Sequence, residues 1–253
     1  MNYGISILSI IPVRLEPNNR SEMTTQLIFG EHFKILESIK KWSKIQISHD
    51  KYVGWISNNQ IQEINFEEYE KLDKEIPTLS TDILDIIESD FNQPIVIGSV
   101  LPTFKSDHAL INNKMYKFTG NTTQGFTQRK HLINNAMIFL NAPYLWGGRT
   151  PFGIDCSGFT QIIYRLQGIK IPRDAYQQIN LGQEINLNNC KEGDLAFFEN
   201  KSGKITHVGL ILENNKIIHA SGQVRIDKLD EKGIFNSVKQ KYSHKLHSIK
   251  KLI

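Results

Sequence analysis

Three side chains in the C-terminal half of the chain have the types needed for nucleophilic chemistry. They are Cys156, within Asp155-Cys156-Ser157-Gly158, and the histidines His207 and His219. A cysteine attacks as its thiolate, which is scarce at neutral pH when the pKa is near 8.5. Asp155 is a good helix N-cap, which sets Cys156 in the first turn of a helix that stops at Gly168. Unpaired backbone N–H groups and the positive end of the helix dipole meet there, so the thiol pKa is expected to fall. The same N–H groups are ready donors for an oxyanion. The competing reading is a buried structural cysteine, the commoner fate of a free thiol.

The histidines bear on that choice through register. In residues 205–211 a period of two sets His207 on one strand face with Ile205, Gly209 and Ile211. A three-residue loop at Glu213-Asn214-Asn215 pairs Leu212 with Lys216 and brings His219 opposite Gly209. His219 then sits diagonally beside His207 on the same face, about 7–8 Å away at the backbone. A two-residue loop would send the rings to opposite faces. A cysteine, a base and a group that orients the base are the parts of a Cys/His nucleophilic machine. A metal centre built from Cys156, Cys190, His207 and His219 would lack the close cysteine pair of structural zinc sites, so no metal or other cofactor is expected.

The elements that must hold these groups are helices first and an antiparallel sheet after them. Leu132, Ile133, Ala136, Met137 and Leu140 recur at helical spacing up to Pro143. Phe159, Ile162, Ile163 and Leu166 form the buried stripe of the helix that Cys156 opens. Strands are expected over 194–198, 205–212, 216–221 and 224–229, which makes residues 127–253 an α+β domain. Residues 1–64 read as all-β, with alternation at Phe33 and Ile35, Ile45 and Ile47, Val53 and Trp55. Residues 65–126 are expected to hold one or two short helices around Pro77, followed by a second small barrel.

Taken in order, Tyr144, Asp155-Cys156-Ser157-Gly158-Phe159, Pro172-Arg173-Asp174-Ala175, Gly193-Asp194-Leu195, His207-Val208-Gly209 and His219-Ala220 resemble the NlpC-type cell-wall peptidases, which are papain-like. The resemblance covers roughly residues 130 to 230. Pro12-Val13-Arg14, Gly30-Glu31, Trp42 and Gly54-Trp55-Ile56 resemble a bacterial SH3-type domain. The architecture this implies is a papain-like catalytic domain preceded by two small all-β SH3-type barrels. Cys156 would be the nucleophile, His207 the base and His219 its orienting partner, with Tyr144 helping to hold the oxyanion.

Two SH3-type units before such a domain are similar to the γ-D-glutamyl-L-diamino acid endopeptidases. Those cut stem peptides that carry a free N-terminal L-alanine. On that resemblance Asp174 would meet the amine with Tyr52 and Glu22, while Asp155 and Ser157 would bind D-glutamate. Arg149, after Trp146-Gly147-Gly148, could meet a substrate carboxylate. Amidases and acyltransferases use the same fold, so a general hydrolase of intact wall is the rival activity. A wall-binding protein without catalysis is the rival of another class.

Composition adds exclusions. A formal net charge of +4, spread along the chain, argues against a nucleic-acid partner. Two cysteines make no disulfide framework. No stretch is long enough for a membrane span, and residues 1–12 lack the basic leader and small-residue cleavage site of a signal peptide. The resemblance implies peptidoglycan-derived stem peptides as partners, and the missing leader places the protein in the cytoplasm, or outside it if a leader has been removed.

Overall fold

A computed structural model describes residues 2–252. Two compact units are present, one formed by residues up to 127 with 168–170, the other by 128–167 with 171–253. No helix among the described residues is long and apolar enough to cross a membrane.

The first unit opens with β1 (Asn2–Ile5), β2 (Ile10–Arg14), β3 (Met23–Ile28), β4 (His32–Ile39), β5 (Trp42–Ile47), β6 (Val53–Ser57) and β7 (Gln62–Ile64). These make a seven-stranded antiparallel sheet in the order β3-β2-β6-β5-β4-β1-β7. Ile11, Val13, Leu27, Phe33, Ile35, Ile45, Ile47 and Ile56 share one core although their strands lie far apart in that order, so the sheet curls around them. The two-residue alternation on β4 and β5 supplies these inward faces. A second β region follows α1 (Phe66–Lys74). It comprises β8 (Thr78–Ser80), β9 (Leu84–Glu88), β10 (Asn92–Val96), β11 (Val100–Leu101), β12 (His108–Ile111), β13 (Lys114–Lys117) and β14 (Thr122–Gln124).

The second helix expected near residues 83–87 does not form, and the segment is β9. Ile83, Ile86 and Ile87 fit a helical spacing over one turn, but Ile86 and Ile87 pair across to Pro94 and Gln93 of β10. Isoleucine is β-branched and stiff, so over so short a window cross-strand packing overrides the helical period.

The second unit contains α2 (Arg129–Ile138), the short pair β15 (Arg149–Thr150) and β16 (Gly153–Ile154), α3 (Cys156–Leu166) and α4 (Ala175–Gln178). After them come β17 (Gln183–Ile185), β18 (Leu195–Glu199), β19 (Ile205–Leu212), β20 (Lys216–Ser221), β21 (Gln223–Asp230), β22 (Gly233–Asn236) and β23 (Lys241–Lys251). Their order is β17-β23-β18-β19-β20-β21-β22, and β22 also pairs with β23. That last pairing closes six of the strands into a barrel. β23 pairs with β17, β18 and β22, and its ladders are bulged at Phe197/Phe198 with β18 and at Ile234/Phe235 with β22; bulges bend a strand. The antiparallel sheet expected here is thus longer than its sequence signal and closed. Every residue of α3 is buried, and Gly168 takes φ +76° just beyond it, the left-handed position that glycine allows.

Candidate active site

Cys156 is the first residue of α3. Asp155, the N-cap, accepts a hydrogen bond from the Gly158 N–H at 2.7 Å and another from the Gly147 N–H at 2.8 Å. The carboxylate thus ties the glycine-rich turn to the head of the helix. Arg173 grips it from the other side, with Nη1 2.9 Å from Oδ1 and Nη2 2.6 Å from Oδ2. Nη1 also donates to Ser157 Oγ at 2.9 Å. Both partners of this ion pair are buried. Gly158 lets the helix seat here, because a Cβ on it would lie 2.4 Å from the Gly148 carbonyl oxygen.

The expected fall in the Cys156 pKa is not what this environment produces. Burial pushes the thiol up to about 12, and the Asp155 carboxylate adds to the rise. The Val208 N–H, Arg173 and the Ser157 N–H pull the other way without overcoming burial. The helix end acts as foreseen, but a thiolate excluded from water loses more than one helix terminus returns.

The register of the histidines is the three-residue-loop one, with Leu210 opposite Ile218, Ile211 opposite Ile217 and Leu212 opposite Lys216. His207 Nε2 lies 2.8 Å from His219 Nδ1, both rings buried. Gly209 makes room, since a Cβ there would sit 2.8 Å from the His219 Cβ. Burial lowers the pKa of both imidazoles, and for His207 the neighbouring His219 and His244 add to it. Both shifts favour the uncharged forms, a neutral thiol and a neutral imidazole, in the resting protein.

Three further contributors come from residues outside the motifs named above. Asp227, on β21, places Oδ2 3.1 Å from His219 Nε2. Arg225 braces it with two hydrogen bonds of 2.7 and 2.9 Å. His244, on β23, stacks on His207. Arg173 lies within Pro172-Arg173-Asp174-Ala175, and its part as the counterion of Asp155 emerges only in the fold. A two-residue step from Arg225 to Asp227 on one strand face was the available hint for the first pair.

The nitrogens of His207, His219 and His244 lie within 4.8 Å of one another, the one such cluster among the described residues. The His207 and His244 planes are only 19° apart at a centroid distance of 4.0 Å. An imidazole binds metal in its ring plane, so two stacked rings present poor geometry for a shared ion.

Tyr144 is half-buried, tied by its N–H to the Gly222 carbonyl at 3.0 Å. Burial raises its phenol pKa, and the proximity of Cys156 raises it further, so the hydroxyl stays protonated. Asp174 leads into α4 beside Arg173, its backbone N–H donating to Gln177 Oε1 at 3.3 Å. Gln178 of α4 donates to the Ser157 carbonyl at 3.0 Å, fixing that helix to the head of α3. Arg149 is fully buried on β15 instead of standing on an open loop. Cys156, Tyr144, Asp155, Ser157, Asp174, His207 and His219 all belong to the second unit; Tyr52 and Glu22 belong to the first. There, Tyr52 packs against the core of the curled sheet, and Glu22 is exposed between β2 and β3.

Residues 141–243 match the NlpC/P60 family, and residues 13–61 match the bacterial dipeptidyl-peptidase Sh3 domain. The chain is 28% identical over 228 residues to a gamma-D-glutamyl-L-lysine dipeptidyl-peptidase of Bacillus cereus (strain ATCC 10987 / NRS 248), covering 80% of this chain and 68% of that protein. It is 27% identical over 258 residues to dipeptidyl-peptidase 6 of Lysinibacillus sphaericus, covering 90% and 92%. An NlpC/P60 family protein of Bacillus cereus ATCC 10987, solved by crystallography, has the same fold, with a TM-score of 0.83 over 98% of this chain and 99% of that one at 21% identity. The chain carries an NlpC/P60 domain, of a family of peptidoglycan peptidases, together with a bacterial dipeptidyl-peptidase SH3 domain.

Proposed function

We propose that this protein is a cysteine endopeptidase that hydrolyses the γ-D-glutamyl-L-diamino acid bond of peptidoglycan stem peptides with a free N-terminal L-alanine, in cell-wall peptide recycling. The observation that carries the reading is the hydrogen bond between His207 on β19 and His219 on β20, with the next residue of β19, Val208, turning its N–H to the Cys156 thiol at the head of α3. Cys156 Sγ attacks the amide carbonyl carbon while His207 takes the thiol proton. The same proton then passes to the leaving amine, and water hydrolyses the thioester. His207 Nε2 is engaged with His219, which leaves Nδ1 for the thiol. The oxyanion is held by the Cys156 N–H and the protonated Tyr144 hydroxyl.

Asp155 and Ser157 are assigned to the D-glutamate. Asp174, with Tyr52 and Glu22, is assigned to the substrate ammonium. We read residues 65–126 as linker helix and second SH3-type domain, between the first at 1–64 and the catalytic domain at 127–253. The likeness to the gamma-D-glutamyl-L-lysine dipeptidyl-peptidase of Bacillus cereus supports the substrate class.

The test is incubation with L-Ala-γ-D-Glu-L-Lys and its diaminopimelate counterpart, with mass spectrometry for released L-Ala-D-Glu. Release by the native protein and none by Cys156→Ala is expected. Equal cleavage of N-acetylated peptide or intact sacculi would overturn the requirement for a free amine and leave a general wall hydrolase.

A further inference from the structure

His219 has two ring nitrogens, and its surroundings decide which one carries the proton. Nδ1 faces His207 Nε2 at 2.8 Å, and Nε2 faces Asp227 Oδ2 at 3.1 Å. A carboxylate only accepts, so Nε2 must be the protonated atom and donate. His219 is buried and lies beside a second neutral ring, so it carries a single proton. Nδ1 is then a lone pair, which can only accept from His207. His207 in turn must carry its proton on Nε2, and its Nδ1 is left as the free base. One carboxylate therefore sets the direction of two tautomers in series.

Asp227 is well fitted to this. It is buried, with 6% of its surface exposed. Burial pushes its pKa up, but the hydrogen bonds from His219 and Arg225 outweigh that and hold it below the usual carboxylate value. Arg225 donates from Nε to Oδ2 at 2.7 Å and from Nη2 to Oδ1 at 2.9 Å, so the carboxylate cannot turn away. Its carboxylate is engaged by His219 and Arg225.

We propose that Asp227, oriented by Arg225, is a positioning residue that fixes His219 as Nε2–H and thereby His207 as Nε2–H, leaving His207 Nδ1 unprotonated towards the thiol. The inference rests on His207 being the base. Without the Asp227 carboxylate, the freed Arg225 guanidinium donates to His219 Nε2. The His219 proton then moves to Nδ1 and points at His207 Nε2, which becomes the acceptor. His207 is left with its proton on Nδ1, where it cannot receive the thiol proton.

Histidine 15N shifts read both tautomers directly, independently of turnover. The native protein is expected to show His207 and His219 as Nε2–H. Asp227→Ala is expected to move both to Nδ1–H and to lower kcat about a hundredfold or more, with KM little changed. Unchanged tautomers in a folded Asp227→Ala protein would overturn the proposal. So would native tautomers other than Nε2–H, a result that needs no variant to fold. Altered tautomers with full turnover would uphold the role of Asp227 and overturn His207 as the base.

Discussion

The imidazole of His244 lies flat on that of His207, with ring centroids 4.0 Å apart and planes 19° apart. Phe198 and His219 close the cluster, their rings 5.7 and 5.0 Å from that of His207. The stack shields His207 from water, which together with the neighbouring rings keeps the imidazole neutral. His244→Phe is expected to keep most of kcat, whereas His244→Ala loses the cover and lowers it about tenfold. Steady-state kinetics of the two variants side by side checks the order.

The same cluster predicts acid sensitivity. Burial, and then His219, lower the His244 pKa to about 4, while in the unfolded chain it lies near 6.5. Between those values the unfolded state binds the proton that the native state refuses, so stability falls as pH drops from about 6.5 to about 4. His207 and His219 are shifted the same way and add to the fall. Thermal unfolding at pH 7.5 and 5 should show a lower Tm in acid. The drop should be smaller for His244→Phe, which has no proton to take up.

Cys156, with its thiol pushed up to about 12 by burial, is expected to react slowly with iodoacetamide near pH 7 in the absence of substrate. The alkylation rate at Cys156, followed by peptide mass spectrometry, should keep rising from pH 7 to 10. A plateau reached already below pH 7 would reveal a resting thiolate–imidazolium pair and contradict the neutral state.

Gly209→Ala tests the histidine register. The new Cβ would meet the His219 Cβ and Ile217 Cδ1, each at 2.8 Å, so His219 must move off His207. The expected cost is about 1–3 kcal/mol of stability from overpacking. A drop in kcat of ~100-fold should accompany it in protein that is still folded by circular dichroism. Undiminished turnover would show that the contact between the two rings is dispensable.

Arg173→Met leaves Asp155 buried without its cation, and both the helix cap and Ser157 lose a partner. Breaking a buried ion pair from one side costs about 3–5 kcal/mol. Urea unfolding should report that loss. Activity should fall as well, because Asp155 ties the Gly147 turn to the head of α3.

Much of this was legible along the chain because it rests on local rules. The N-cap at Asp155, the helix behind Cys156 and its stop at Gly168 follow from positions a few residues apart. The loop at Glu213-Asn214-Asn215 is as short, yet its length decides which sheet face His219 takes. From these, the cysteine and both histidines could be named as one constellation, and the pairing of the rings foreseen. What sequence could not decide depends on groups brought together from distant strands. Asp227 reaches His219 because β21 pairs with β20 in one register, and His244 reaches His207 because β23 closes the barrel. The segment at residues 84–88 became a strand because a partner was available at residues 92–96. The thiol pKa turned on burial, a property of the packed domain. Spacing fixes which side chains share a face; only packing decides what lies over that face and how much water it excludes.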